Sequence, residues 1–209
     1  MDKQKIRNRS LKTARQLGYP TNENLPLLDE VEQVRSTDEA GKRLLCVYAA
    51  VACSYGYPKD KALAWLSRED AFEHLADSER EYLNASANRN SNAKWQWQVE
   101  ALWAMAWSLG CQSSLDFSDS CSDSFIQLLP DIAKDESTKD FQEKLTLRNS
   151  AELAAQADLA YCLHWAVRQA QTQNSPTPGK VPGDVIVERR RALEWLISGE
   201  SWDEVSLDT

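Results

Sequence analysis

A long run without proline or glycine, from Leu147 to Thr172, constrains the fold of this chain more than any other feature. Asn149 or Ser150 can cap a helix at its start, and Glu152 follows Asn149 at capping-box spacing. Small or apolar side chains fall on nearly every side of that helix. A helix that is apolar all round packs inside a bundle rather than on its surface. We therefore predict an all-α fold, a single-domain multi-helix bundle around a buried central helix.

The length and the turn residues agree with that architecture. A chain of 209 residues suits one domain, here 1–209, with a basic N-terminal helix at 1–18 and an acidic C-terminal tail at 199–209. Seven glycines and seven prolines favour long helices over a sheet with many turns. Because no alternating strand pattern extends beyond about four residues, we expect about eight to ten helices.

Caps, apolar spacing and intervening turn residues predict where the helices begin and end. Ser36 and Glu39 form a capping box, and Tyr55 ends the apolar stripe that should face the core from the following helix. Asp184 is predicted to cap the last helix, and the polar segment 84–92 to be an exposed loop. Besides the central helix, the predicted helices are Lys3–Leu17, Ser36–Tyr55, Lys59–Leu66, Glu69–Leu75, Glu79–Leu83, Lys94–Leu109, Ser124–Lys134, Thr138–Lys144 and Val185–Ile197.

Charge is distributed unevenly along the chain. The formal net charge is -8, which argues against a nucleic-acid surface, since neutralising phosphates requires clustered Lys and Arg. Residues 1–15 carry an excess of basic side chains, whereas residues 113–143, the acidic segment, carry eight acids against two lysines. The acidic segment either complements the basic helix within the molecule or faces a partner.

Cysteine usage and hydropathy predict a cytoplasmic protein. Five cysteines without paired CxxC spacing indicate reduced thiols rather than a disulfide framework. The basic N-terminus is followed by no apolar run, so no signal peptide is predicted. The longest apolar run, 44–55, is too short to span a membrane, and we predict no membrane association. With two histidines and no ligand spacing, neither a metal ion nor a cofactor is predicted.

Five residues are weak candidates for a binding site: Glu100, Tyr161, His164, Trp165 and Arg168. The tryptophans Trp97, Trp103 and Trp107 surround Glu100 in the sequence, and the other four candidates lie on the central helix. One interpretation is structural, with Glu100 paired to Arg168 across the core and His164 bonded to a carbonyl, because a buried charge needs a partner. The other is a pocket in which Glu100 or His164 acts as a general acid or base.

No standard catalytic signature accompanies these residues. The sequence has no nucleophile elbow, phosphate-binding glycine loop, dinucleotide fingerprint or His-Glu-x-x-His motif. We assign no catalytic residue. The basic run 189–191 spreads over about 200° of a helix, so it forms no single anion patch. We expect one of its arginines to turn inward to a carboxylate while the others remain solvated.

Four segments occur in a characteristic order: Trp97–Gly110, Ala157–Arg168, Val187–Leu196 and Trp202–Thr209. Together they resemble a bacterial family that shares a domain of unknown function, DUF4272. The resemblance extends over most of the chain and implies a protein without established activity. This chain departs from the family pattern at Gln98 and Cys162, where the pattern has arginine. If those arginines pair with carboxylates in relatives, Glu100 or Asp158 has lost a partner here.

Two functions remain open, with the first favoured. In the first, the chain is a non-catalytic protein-binding or interaction module that masks a partner, for instance a basic toxin or enzyme. The alternative is a hydrolase or lyase that uses Glu100 and His164 in a Trp-lined pocket. The acidic segment and the absent motifs favour a binding protein over an enzyme. The oligomeric state and the identity of a partner or substrate are not predicted.

Overall fold

The computed structural model describes residues 2–29, 31, 34–85 and 92–209. These residues contain nine α-helices, and no strand occurs among them, so the predicted all-α fold is confirmed. Most of the predicted loop 84–92 lies outside the described residues. The helices are α1 (Lys3–Gln16), α2 (Thr37–Ser54), α3 (Lys59–Arg68), α4 (Asp77–Asn84), α5 (Asn92–Trp97), α6 (Val99–Ser108), α7 (Lys139–Gln142), α8 (Ser150–Thr172) and α9 (Gly183–Ile197).

Helix α8 is the buried central helix that the sequence predicted. The side chain of Asn149 caps it by accepting a hydrogen bond from the backbone N–H of Glu152, at 3.0 Å. Leu153 and Leu163 are fully buried. Helix α8 packs against α1 on one side and α9 on the other, and α9 in turn packs against α6, which contacts α2. The core is therefore built outward from α8.

Buried ion pairs join helices that are distant in sequence. On α1, Arg7 makes a bidentate pair with Asp158 of α8, and both side chains are almost fully buried. Between α2 and α4, Arg43 pairs with Glu79, also buried. The basic helix α1 consequently docks on its own domain, and Arg7 fixes its position along α8.

The C-terminal tail packs onto the bundle through one aromatic side chain. Trp202 is buried and lies edge-on to Trp195 of α9, with ring centroids 5.9 Å apart. The guanidinium of Arg43 lies over its ring at 4.7 Å from the centroid. Two hydrogen bonds from Ser78 to Asp203 hold the neighbouring residue. The tail thereby connects α9 with α2 and α4.

The predicted helix 124–134 was wrong. The chain forms two short 3₁₀ segments instead, Asp123–Leu128 and Ile132–Lys134. Between them Pro130 lacks an N–H group and disfavours helical geometry in the residue before it. Leu129 accordingly has extended backbone, with ψ 157°. A single proline thus divides the segment that apolar spacing had predicted to be one helix.

Two other predicted helices also differ from the structure. Segment 94–109 forms two helices, α5 and α6, rather than one. The break is at Gln98, whose backbone N–H donates to the carbonyl of Trp95 instead of the carbonyl of Lys94 that an α-helix would use. The predicted helix 69–75 is reduced to a 3₁₀ turn at Phe72–His74. There Asp70 has a left-handed backbone with φ 55°, which no α-helix can continue through.

Two local predictions on α2 and α9 were also wrong. Tyr55 does not face the core, because it follows the last residue of α2 and is 68% exposed. Helix α9 begins at Gly183 after Pro182, one residue before the predicted cap Asp184. Among the described residues, no helix combines the length and apolar character needed to cross a bilayer.

Candidate functional site

Glu100 is locked into a buried ion pair with α9. Its Oε2 accepts hydrogen bonds from Nε and Nη2 of Arg189, at 2.8 and 2.6 Å, and both side chains are almost fully buried. Its Oε1 accepts the backbone N–H of Cys121 at 2.9 Å. The predicted pairing of Glu100 with Arg168 was therefore wrong, and both carboxylate oxygens are occupied.

Arg189 also organises the start of the acidic segment. Its Nη1 donates to the carbonyl of Asp116, and its Nη2 donates to the carbonyl of Asp119 at 2.9 Å. The guanidinium lies 5.6 Å from the ring centroid of Phe117, which is buried. A single buried cation thus holds Glu100 and the 116–119 backbone together.

His164 is held by the next residue of α9. Nη1 of Arg190 lies 2.8 Å from its Nδ1. A guanidinium only donates hydrogen bonds, so Nδ1 accepts and the proton of the neutral imidazole is on Nε2. Burial, then the charges of Arg190, Arg168 and Arg191, lower the pKa of His164 to about 4. The predicted carbonyl bond was wrong, and His164 is neutral at pH 7.

Tyr161 packs against two buried guanidinium groups. Arg190 lies 4.8 Å from its ring centroid and Arg7 lies 5.5 Å away. Burial raises the pKa of the Tyr161 phenol, an effect that both cations oppose. Arg190 also pairs with Glu194 at 3.1 Å. Its remaining hydrogen bonds go to the tail carbonyls of residues 207 and 208, each at 3.0 Å.

The basic run therefore differs from the prediction of one inward arginine. Arg189 and Arg190 are both buried, while Arg191 is partly exposed and pairs with Glu188 at 3.3 Å. Burial raises the pKa of the Glu188 carboxyl, partly offset by Arg191. Two successive arginines can both turn inward because α9 has a protein neighbour on more than one side, α6 and α8.

Arg168 and Trp165 lie at the surface with His164 beneath them. Arg168 is exposed and donates to the side chain of Gln171 at 2.9 Å, and Trp165 is half-buried. Together they line a groove of about 640 Å³, which we call the His164 groove. Its lining includes His164, Trp165, Arg168, Val187, Leu207 and Asp208.

The structure separates Glu100 from His164. Each is bonded to its own arginine, and the two arginines are successive residues of α9 whose side chains project about 100° apart. His164 lines the groove, whereas Glu100 does not. The five candidates are thus divided. Three line the groove, Tyr161 packs on Arg190 and lines a different cavity, and Glu100 is paired with Arg189 instead.

Sequence reasoning missed a second cavity, of about 400 Å³, which we call the apolar pocket. It lies between the end of α2, the start of α6 and the acidic segment. Tyr55 and Ile126 lie at this pocket with 68% and 41% of their surface exposed. The available signal was that the apolar stripe of α2 continues to Tyr55, past the last helical turn. The lining includes Tyr48, Val51, Tyr55, Cys121, Phe125 and Ile126.

Two chemical properties of these cavities limit what they can do. Burial, then the negative charge of Glu100, raises the pKa of the Cys121 thiol to about 12, so the thiolate is scarce at neutral pH. Within the described part of the chain, no three His, Cys, Asp or Glu side chains are grouped so that they could hold a metal ion. The groups described at the two cavities provide hydrogen bonding, charge and apolar contact.

Comparison with known proteins places the chain in a family without assigning it an activity. Neither the curated proteins nor the solved structures include a match to it. The family model described as "Domain of unknown function (DUF4272)" matches residues 6–205. That range includes the whole lining of the apolar pocket and every buried ion pair described above, and all of the His164 groove except residues 207–209. The chain belongs to the DUF4272 family.

Proposed function

We propose that this protein is a non-catalytic binding module of the cytoplasm that masks a protein partner at the apolar pocket. The observation that carries the proposal is an apolar cavity with two large exposed hydrophobic residues, Tyr55 and Ile126, opening beside the acidic segment. Exposed apolar side chains grouped at a concave surface are typical of interaction sites.

The state of the reactive groups supports binding over catalysis. Glu100 has both oxygens occupied, His164 has its only lone pair engaged by Arg190, and Cys121 is protonated at neutral pH. A general base needs a free lone pair within reach of a substrate proton. The hydrolase or lyase alternative requires Glu100 and His164 in one cavity, and their separate ion pairs do not support it.

The chemistry of the pocket defines the kind of partner. Val51 and Phe125 provide an apolar interior, and Asp123, which is exposed, lies at the lining. An apolar anchor site with an exposed carboxylate at its edge, on a segment that carries mostly acidic charges, complements a basic protein segment with one large aliphatic or aromatic side chain. Charge attraction would speed association, and the anchor would provide most of the affinity.

Two substitutions on one short segment test the proposal. Ile126 lies at the apolar pocket, whereas Leu128 is similarly exposed, at 46%, but is not part of its lining. We expect Ile126→Asp to weaken binding of a partner recovered from the source cells by at least about tenfold, whereas Leu128→Asp retains it. Raising salt from about 50 to about 300 mM should weaken the complex further.

A photo-crosslinker at Tyr55 identifies the bound segment. Because this side chain is exposed beside the cavity, replacing it with a photoreactive phenylalanine analogue should leave the fold unchanged. Mass spectrometry of the crosslinked product is expected to show a segment rich in Lys or Arg with one large apolar residue. Equal binding by both Asp variants, or a crosslink to an acidic segment, would contradict the proposal.

A further inference from the structure

The floor of the His164 groove presents a hydrogen-bond donor. His164 is only 4% exposed, yet its ring belongs to the groove lining. Arg190 donates to Nδ1, which fixes the proton on Nε2. Among the described residues, no side chain or carbonyl accepts a hydrogen bond from that Nε2–H. A donor that lines the groove and has no protein partner there is available to a ligand atom that accepts a hydrogen bond.

Arg168 lies one helical turn after His164 on α8 and, among the described residues, has no carboxylate partner. Arg168 is exposed, and its hydrogen bond goes to the neutral amide of Gln171. Within the described ranges no Asp or Glu forms an ion pair with it. Residues four apart on a helix lie on one face with Cβ atoms about 6 Å apart, so Arg168 and His164 can contact the same small group. That group should be an anion.

The remaining lining restricts the charge and shape of the ligand. The exposed carboxylate of Asp208 also lines the groove and disfavours a dianion such as phosphate. Trp165, Val187 and Leu207 contribute apolar surface. A volume of about 640 Å³ falls within the range of small-molecule sites. A monoanion with a flat apolar body fits this combination better than a phosphate.

We propose that the His164 groove binds a small monocarboxylate with an aromatic or similarly flat apolar body. The carboxylate accepts hydrogen bonds from the Nε2–H of His164 and from the guanidinium of Arg168, and the body lies along Trp165. The three arginines whose charges disfavour protonation of His164 also favour an anion there. This site is independent of the apolar pocket and of any protein partner.

Phenylacetate and its neutral analogue phenylacetamide provide the test, read out by NMR of the His164 imidazole and by calorimetry. We expect phenylacetate to bind saturably at millimolar concentration and to shift the His164 Nε2–H resonance, and phenylacetamide to bind at least tenfold more weakly. Arg168→Gln should weaken phenylacetate at least tenfold. The matched control Arg9→Gln removes the same charge from an exposed residue outside the lining, and it should change affinity by less than about threefold.

Three results would overturn the proposal. The first is equal affinity for phenylacetate and phenylacetamide, which would mean that charge plays no part. The second is an unchanged affinity in Arg168→Gln, which stays folded because the side chain is exposed. The third is displacement of phenylacetate by inorganic phosphate at equal concentration, which would reassign the groove to phosphate-bearing ligands.

Discussion

Among the residues that the structure describes, four arginines are buried, and each is neutralised by a carboxylate from another element or from the next turn. Burying a guanidinium is costly unless charge and hydrogen bonds compensate the lost hydration. Each of the four has a carboxylate partner that is itself largely buried, although Nε of Arg43 is buried without a hydrogen-bond partner. The pairs are Arg7 with Asp158, Arg43 with Glu79, Arg189 with Glu100 and Arg190 with Glu194.

Removing one member of such a pair should destabilise the fold strongly. In Asp158→Ala, Arg7 would keep only the carbonyls of Leu25 and Pro26, at 2.8 Å each. We expect the free energy of unfolding in urea to fall by about 3 to 5 kcal/mol. The control is Glu23→Ala, which removes an exposed pair with Arg15 and should cost less than about 1 kcal/mol. Similar small losses in both variants would contradict the buried-pair argument.

The pKa of His164 gives a second prediction at this scale. It is about 4 in the folded protein and 6.5 in an unfolded chain, so between these values the unfolded state binds a proton that the folded state does not. This contribution to stability is complete above pH 6.5 and is lost as the pH falls towards 4. Relative to His164→Asn, which keeps an acceptor for Arg190, the wild type should lose about 3 kcal/mol between pH 7 and pH 4.

Urea unfolding of both proteins across that pH range measures the difference, and NMR titration of the imidazole checks its cause. A free-energy difference that does not vary with pH, or a measured His164 pKa near 6.5, would contradict the prediction.

The sequence could predict which polar side chains lie in the core, but it could not predict the residues that pair with them. Glu100 and His164 were identified as polar residues on apolar faces, and both are buried. Their arginines lie 89 and 26 positions away, and only the packing of α9 between α6 and α8 brings them into contact. Arg168 was predicted in the core but is exposed, because sequence periodicity does not show that one face of the last turns of α8 lies at the surface.

At the scale of elements, helices with strong local signals were predictable. Ser36 and Asn149 each cap a helix in the structure by accepting the backbone N–H of a Glu three residues on, at 3.1 and 3.0 Å. The break at Gln98 has no such signal, since no helix-breaking residue occurs there. Its side chain is buried, and tertiary packing rather than local sequence determines its conformation.

At the scale of elements, the close packing of Gly179 on Tyr19, which lie in two different loops, gives a testable prediction. Gly179, with φ 78°, lies against the ring of Tyr19, and a Cβ there would come within 2.2 Å of that ring. Gly179→Ala should therefore combine backbone strain with a clash, and we expect unfolding free energy to fall by about 2 to 5 kcal/mol. Gly18→Ala is the control, because its φ of 85° is similar and nothing lies within 4 Å. Its loss should be about 1 to 2 kcal/mol.

Thermal or urea unfolding followed by circular dichroism compares the two variants directly. Equal losses would mean that the loop moves away from Tyr19 without cost, contrary to the packing described.

For the molecule as a whole, one continuous apolar core includes residues from α2 to the tail. It contains Trp65 in the first third of the chain and Trp202 near its end, both buried. We expect tryptophan fluorescence and far-ultraviolet circular dichroism to show one urea transition with the same midpoint. Two separated midpoints, with the tail melting first, would indicate that Trp202 and its neighbours form a separately stable unit.

The pairing of Arg7 with Asp158 has a consequence for how the protein is made. The two residues are 151 positions apart in the chain. At a translation rate of roughly 5 to 20 residues per second, the ribosome needs roughly 8 to 30 s to reach Asp158 after it has added Arg7. Throughout that interval the first helix has an unmatched cation and an uncovered apolar face. The docking of α1 must therefore follow the synthesis of α8, and until then the nascent chain exposes a surface that amphipathic-helix-binding chaperones would be expected to cover.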